Sequence, residues 1–91
     1  MENAKKLNLD NVSYEQLEEM EHALGMPRKA RPYRNYFNCS ADDKNWNDLV
    51  DKGFATKSKS WSEDKANFHL TYEATKLVYG KRMSKKYYND L

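Results

Sequence analysis

Three glycines and two prolines limit what this chain can fold into. Gly25, Gly53 and Gly80 each follow a stretch whose apolar residues recur at spacings of three and four. A glycine just past such a stripe is a common helix stop, because it accepts the left-handed backbone that closes the last turn. Pro27 and Pro32 exclude a continuous helix through the segment after the first stop. The punctuation therefore sets three short helices with irregular or extended chain between them.

The start signals agree with the stops. Ser13 and Gln16 have capping-box spacing, and Val12 and Leu17 are placed to form a hydrophobic staple around it. Tyr14, Leu17, Met20 and Leu24 form the stripe, and Glu15, Glu18, Glu19 and Glu21 cover the other face, predicting a helix over 14–24. Ser40 with Asp43 repeats the capping spacing before Trp46, Leu49 and Val50, predicting a second helix over about 41–52. Between these, Tyr36-Phe37 reads either as a short strand or as an aromatic plug in the core. Phe54–Lys57 and Asn67–Leu70 read as two strands around a polar loop, a β-hairpin. Thr71 is placed to cap a third helix that ends at Gly80. Residues 81–91 form a basic tail or a short extra helix packed through Met83, Tyr87 and Tyr88.

The fold class is α+β, one small domain in the order helix, short strand or loop, helix, β-hairpin, helix. Residues 1–12 form an N-terminal extension, 13–80 the domain and 81–91 the tail. The expected core is Leu17, Met20, Leu24, Phe37, Trp46, Leu49, Val50, Phe54, Phe68, Leu70, Leu77 and Val78. With 91 residues, the chain has room for little beyond this core. A single cysteine excludes an internal disulfide and a four-cysteine zinc site. No apolar run reaches the ~20 residues of a membrane span, so no membrane partner is expected and the localisation expected is cytoplasmic.

Two resemblances follow from particular residues. Leu49-Val50-Asp51-Lys52-Gly53-Phe54-Ala55, then a polar loop, then Phe68-His69-Leu70-Thr71-Tyr72-Glu73-Ala74, resembles the C-terminal half of winged-helix domains over about 49–78. The resemblance implies a winged-helix-like fold. His22-Ala23-Leu24-Gly25, Arg31-Pro32-Tyr33-Arg34-Asn35-Tyr36-Phe37 and Trp46-x-x-Leu49-Val50-x-x-Gly53 resemble a family of short uncharacterised proteins of bacterial phages and integrated mobile elements, over about 20–80. That likeness implies a mobile-element origin and carries no activity. A DNA-reading winged helix also needs a helix before its recognition helix, and here that stretch holds both prolines. The helix in the recognition position carries Asp42, Asp43, Asp48 and Asp51, whose charge opposes phosphate.

The net charge of +2 conceals alternating blocks. Residues 1–26 carry −4, residues 27–40 carry +4, residues 41–55 carry −2, and residues 71–91 carry +3. The positive block at 27–40 interleaves Arg28, Lys29, Arg31 and Arg34 with Tyr33 and Tyr36. Arginines pair phosphates and tyrosines stack bases, so these six residues are candidate nucleic-acid contacts, with Lys57 and Lys59 of the hairpin and the basic tail, which includes Lys81, Arg82, Lys85 and Lys86, extending the surface. The competing structural reading pairs Arg31 and Arg34 with the acidic first helix and packs the tyrosines over the core. Trp61 in the polar loop, with Tyr87 and Tyr88, is the candidate contact for another protein or a second copy.

No constellation points to catalysis. His22 and His69 have no histidine at ligand spacing, a Cys39–His69 dyad needs a proximity that sequence does not supply, and adjacent Asp42 and Asp43 diverge around a helix and suit capping. No cofactor, no metal and no enzymatic activity are expected. The first functional expectation is a small accessory protein binding DNA or RNA through its basic and aromatic segments. The alternative is a protein-interaction adaptor or homodimer.

Overall fold

The computed structural model describes residues 7–26 and 30–91. The candidate contacts Arg28 and Lys29, with Pro27 and residues 1–6, lie outside the described residues. Among the described residues the fold is α+β, with four α-helices and a three-stranded antiparallel sheet in the order β1-β3-β2. The helices are α1 (Tyr14–Ala23), α2 (Lys44–Asp51), α3 (Tyr72–Tyr79) and α4 (Lys85–Asn89). The strands are β1 (Phe37–Ser40), β2 (Ala55–Lys59) and β3 (Lys65–Leu70).

The local signals act as their chemistry requires. Ser13 Oγ accepts from the Gln16 amide at 3.0 Å, and Gln16 Oε1 accepts from the Ser13 amide at 2.9 Å, closing the capping box. Gln16 also reaches across to α2, donating from Nε2 to the Asn45 carbonyl and to Asp48 Oδ2. A cap residue thus doubles as the tie between two helices. Thr71 caps α3 through the Ala74 amide, and Ser84 caps α4 through the Tyr87 amide. All three glycine stops have positive φ. Gly25 is the most constrained: at φ 82°, a Cβ there would sit 2.0 Å from Tyr33 Cε1, so only glycine lets that ring lie against the helix end.

Tyr36-Phe37 resolves as the entrance to a strand. Phe37 pairs with Phe68 and Ser40 with Lys65, which puts β3 at the centre of the sheet. This pairing also corrects the start of α2. Ser40 belongs to β1, so Asp43 becomes the cap, its Oδ2 accepting from the Trp46 amide at 3.0 Å, and the helix begins three residues later than Ala41. The hairpin strands run longer than the alternation suggested, leaving residues 60–64 as the connecting turn. Among the described residues no helix lies between α1 and α2, so the helix-turn-helix pair of a DNA-reading domain is not formed there.

The core lies between the helices and the inner face of the sheet. Met20, Leu24, Trp46, Leu49, Phe54, Phe68 and Leu70 are buried as expected. Phe37 stacks on Trp46 at 5.0 Å between centroids, and Trp46 tilts against Phe68 at 5.4 Å. Leu17, Phe37, Val50 and Val78 pack against this core while half-buried. Leu77 is the correction: it is 36% exposed. Ala74 and Thr75 set the phase of α3, and Leu77 falls outside the arc that they bury. Alanines at 23, 55, 66 and 74 complete the interior, where small side chains let elements approach closely. Leu7, Leu9 and Val12 of the N-terminal segment also pack on the core, and Met83, just before α4, is buried.

Candidate functional site

The site is built at the C-terminal end of α1. That end leaves carbonyls without intrahelical partners, and residues 33–36 supply the donors. The Tyr33 amide bonds the Leu24 carbonyl at 3.1 Å, and the Tyr36 amide bonds the Ala23 carbonyl at 3.2 Å. Arg34 donates from its guanidinium to the His22 carbonyl at 2.9 Å. A cation at a helix C-terminus is favourable against the dipole. Arg34 therefore meets the acidic helix, as the competing structural reading has it, but through a terminal carbonyl; among the described residues it forms no ion pair with a glutamate. Among the described residues the ion pairs are Lys52–Asp48 and Lys76–Glu73.

Anchored this way, Arg34 lies against both neighbouring rings, 5.7 Å from the Tyr33 centroid and 5.5 Å from that of Tyr36. Both rings remain about half exposed, at 50% and 51%. The group opens onto a shallow pocket of about 490 Å³ that also includes Asn35, Asn67, His69 and Leu91. Asn67 and His69 reach it because β3 alternates: Ala66, Phe68 and Leu70 point into the core, and Asn67 and His69 point to the outer face of the sheet. Asn35 holds the approach. Its side-chain amide donates to the Leu70 carbonyl and accepts from the Leu70 amide, extending the β1–β3 ladder with a side chain in place of backbone.

Arg31 faces a second pocket, of about 140 Å³, lined also by Tyr79, Arg82, Met83, Ser84 and Tyr87. Neither pocket is lined by Asp or Glu. Tyr87 and Tyr88 turn inward: the Tyr87 hydroxyl donates to the Pro32 carbonyl at 2.7 Å, and the Tyr88 hydroxyl to the Leu70 carbonyl at 2.6 Å. Burial pushes the Tyr88 phenol up from its ordinary value, with Asn35 opposing. The tail is thus tied to Pro32 and Leu70, and of its basic residues Arg82 lines this second pocket, a position that sequence alone does not single out.

The hairpin lysines do not join this surface. Lys57 pairs with Phe68 in the sheet and so shares its face, the side turned toward the core and α2. Its ammonium donates to the Ala41 carbonyl at 2.8 Å and to Asn47 Oδ1 at 3.0 Å. Lys59 pairs with Ala66 and is exposed at the end of the same edge strand. Trp61 stands in the turn at the hairpin tip and is fully exposed, at 101%.

A different charged groove runs along α1, about 620 Å³ in volume, lined by Tyr14, Glu15, Glu18, Glu19, Glu21, His22, Met26 and Phe37. Glu15 accepts from Asn45 Nδ2 at 2.7 Å. Burial, then Asp43 and Glu15, raise the Glu19 carboxyl above its ordinary value, against the Trp46 indole and the Asn45 amide. The indole is near enough to act on this carboxyl, yet Trp46 Nε1 and Glu19 Oε1 are both buried without a hydrogen bond of good geometry. Burial beside Asp43 and Glu19 pushes the Cys39 thiol up to about 11, so it stays protonated at neutral pH, unlike an activated nucleophile. Among the described residues no three of His, Cys, Asp and Glu converge as a metal site, and no helix is long and apolar enough to cross a membrane. Compared with known proteins, the chain matches no family model, no curated protein and no solved structure.

Proposed function

We propose that this chain is a small nucleic-acid-binding accessory protein that takes single strands through Arg31, Tyr33, Arg34 and Tyr36. One observation supports the reading above others. One pocket joins Arg34 to the half-exposed Tyr33 and Tyr36, a second holds Arg31 and Arg82, and neither is lined by Asp or Glu. Stacked bases need exposed rings held at fixed orientation, and phosphates need uncompensated cations. Duplex reading in the winged-helix manner is disfavoured, because α2 carries Asp48 and Asp51 and is capped by Asp43. The phage or mobile-element origin implied by the resemblance belongs to this proposal.

Fluorescence anisotropy of a labelled single-stranded oligonucleotide with the full chain tests it. Binding is expected at low salt, with log Kd rising linearly with log salt concentration, and stronger for the single strand than for the matching duplex. Absence of binding to either at low salt overturns the proposal.

Trp61 favours a second reading. A tryptophan fully exposed at a hairpin tip is a typical anchor for a protein partner. Concentration-dependent sedimentation that Trp61→Ala abolishes would support self-association through it. A monomer at every concentration tested would argue against that contact.

A further inference from the structure

The pocket shared by Arg31 and Arg82 is formed by two segments far apart in sequence. Pro32 is buried and accepts the Tyr87 hydroxyl, which fixes the chain beside Arg31. Met83, also in the lining, is buried and its carbonyl accepts the Tyr72 hydroxyl at 2.5 Å, which fixes the chain beside Arg82. Both arginines are exposed and face the same volume of about 140 Å³. That is below the roughly 300–1,000 Å³ usual for pockets that enclose a whole small molecule. It suits one ionic group with its water.

An anion seated between two arginines that line one pocket would be attracted by both. Neither arginine has an acidic partner among the described residues. Glu73 approaches Arg82 across the neighbouring groove on α3, but it is paired to Lys76 at 3.4 Å. The planar donor fork of arginine matches the oxygens of a tetrahedral phosphate, and hydrogen bonds to a charged acceptor are the strong ones.

We propose that the Arg31–Arg82 pocket seats a single phosphate group. That this phosphate belongs to a strand end rests on the nucleic-acid reading above; the seat itself does not. The test uses the full chain and follows the backbone and arginine side-chain N–H signals by NMR. Inorganic phosphate is titrated against chloride at equal ionic strength. Saturable shifts at Arg31 and Arg82 are expected. Arg31→Gln and Arg82→Gln should each weaken phosphate binding roughly tenfold or more, whereas Lys86→Gln, a charge loss outside the pocket, should change it less than about twofold. No saturable shift, or equal weakening by Lys86→Gln, overturns the proposal.

Oligonucleotides of one sequence with a 5′-phosphate or a 5′-hydroxyl separate the sources. Tighter binding of the phosphorylated strand, lost in Arg82→Gln, assigns the seat to a strand end. Phosphate seated while neither strand binds supports a free phosphate as ligand and removes the nucleic-acid reading. Equal binding of both strands with no seating of inorganic phosphate removes the pocket and leaves that reading standing.

Discussion

The groove along α1 and the corner formed by residues 31–36 with the tail carry opposite charge, each beside aromatic rings. In the groove the charge is tied to the fold. Glu15 lies in the first turn of α1 and accepts from Asn45 of α2, while Glu19 is partly desolvated beside Trp46 at the centre of the aromatic stack. In the corner, Arg34 is held by a helix-end carbonyl and Arg31 and Arg82 face a pocket without an acid. A run of like charge in a sequence therefore has two meanings. It supports helix ends and helix contacts when neighbouring groups complete it, and, on the function proposed above, it takes a ligand when it faces a pocket without an acid.

If that contrast is right, substitutions beside the groove change stability and substitutions in the corner change binding. The largest effect expected is at Trp46. Trp46→Ala removes the ring stacked between Phe37 and Phe68 and should cost about 3–5 kcal/mol in urea unfolding. A loss under about 1 kcal/mol would contradict the core assignment. Tyr36→Ala is the corner counterpart. It should leave the urea midpoint nearly unchanged, yet weaken single-strand binding by about 1–3 kcal/mol, roughly 5- to 150-fold in Kd.

Gly25→Ala should register on both sides. Its positive φ is strained for alanine by about 1–2 kcal/mol, and the new Cβ must displace the Tyr33 ring. Melting temperature and oligonucleotide affinity should fall together; loss of stability with unchanged affinity would remove Tyr33 from the site. The smallest effect is a pH dependence at Glu19. Its folded pKa is raised, so as pH rises past its ordinary value of 4.5 the unfolded chain releases this proton first, and stability declines until the folded carboxyl has ionised too. Glu19→Gln should abolish that decline and melt higher than the parent at neutral pH. Stability profiles of the two proteins that stay parallel from about pH 4 to neutral pH would contradict it.

The helices were legible because their signals are local. Ser13 with Gln16, Thr71, and the glycine stops act within one turn, and α1 and α3 fall where those residues place them. The second strand pair was not. β1 has four residues and pairs with β3 across a long stretch of chain, so nothing nearby distinguishes Ser40 in a strand from Ser40 as a helix cap. The same limit applies to the site. The basic and aromatic run at 31–36 is visible in sequence, but Arg82 joins Arg31 through a Tyr87–Pro32 bond between residues 55 apart. Lys57 is lost to the site because the β2–β3 register sets it beside Phe68. Asn35 standing in for backbone against Leu70 has no sequence signature at all.

The most direct measurement is an NMR titration of the full chain with a single-stranded oligonucleotide at low salt. The account predicts saturable shifts at Arg31, Tyr33, Arg34, Tyr36, Asn67 and His69 that fade as salt rises, with Glu15, Glu18 and Glu19 unmoved. Shifts confined to the α1 groove, or none at low salt, would contradict it.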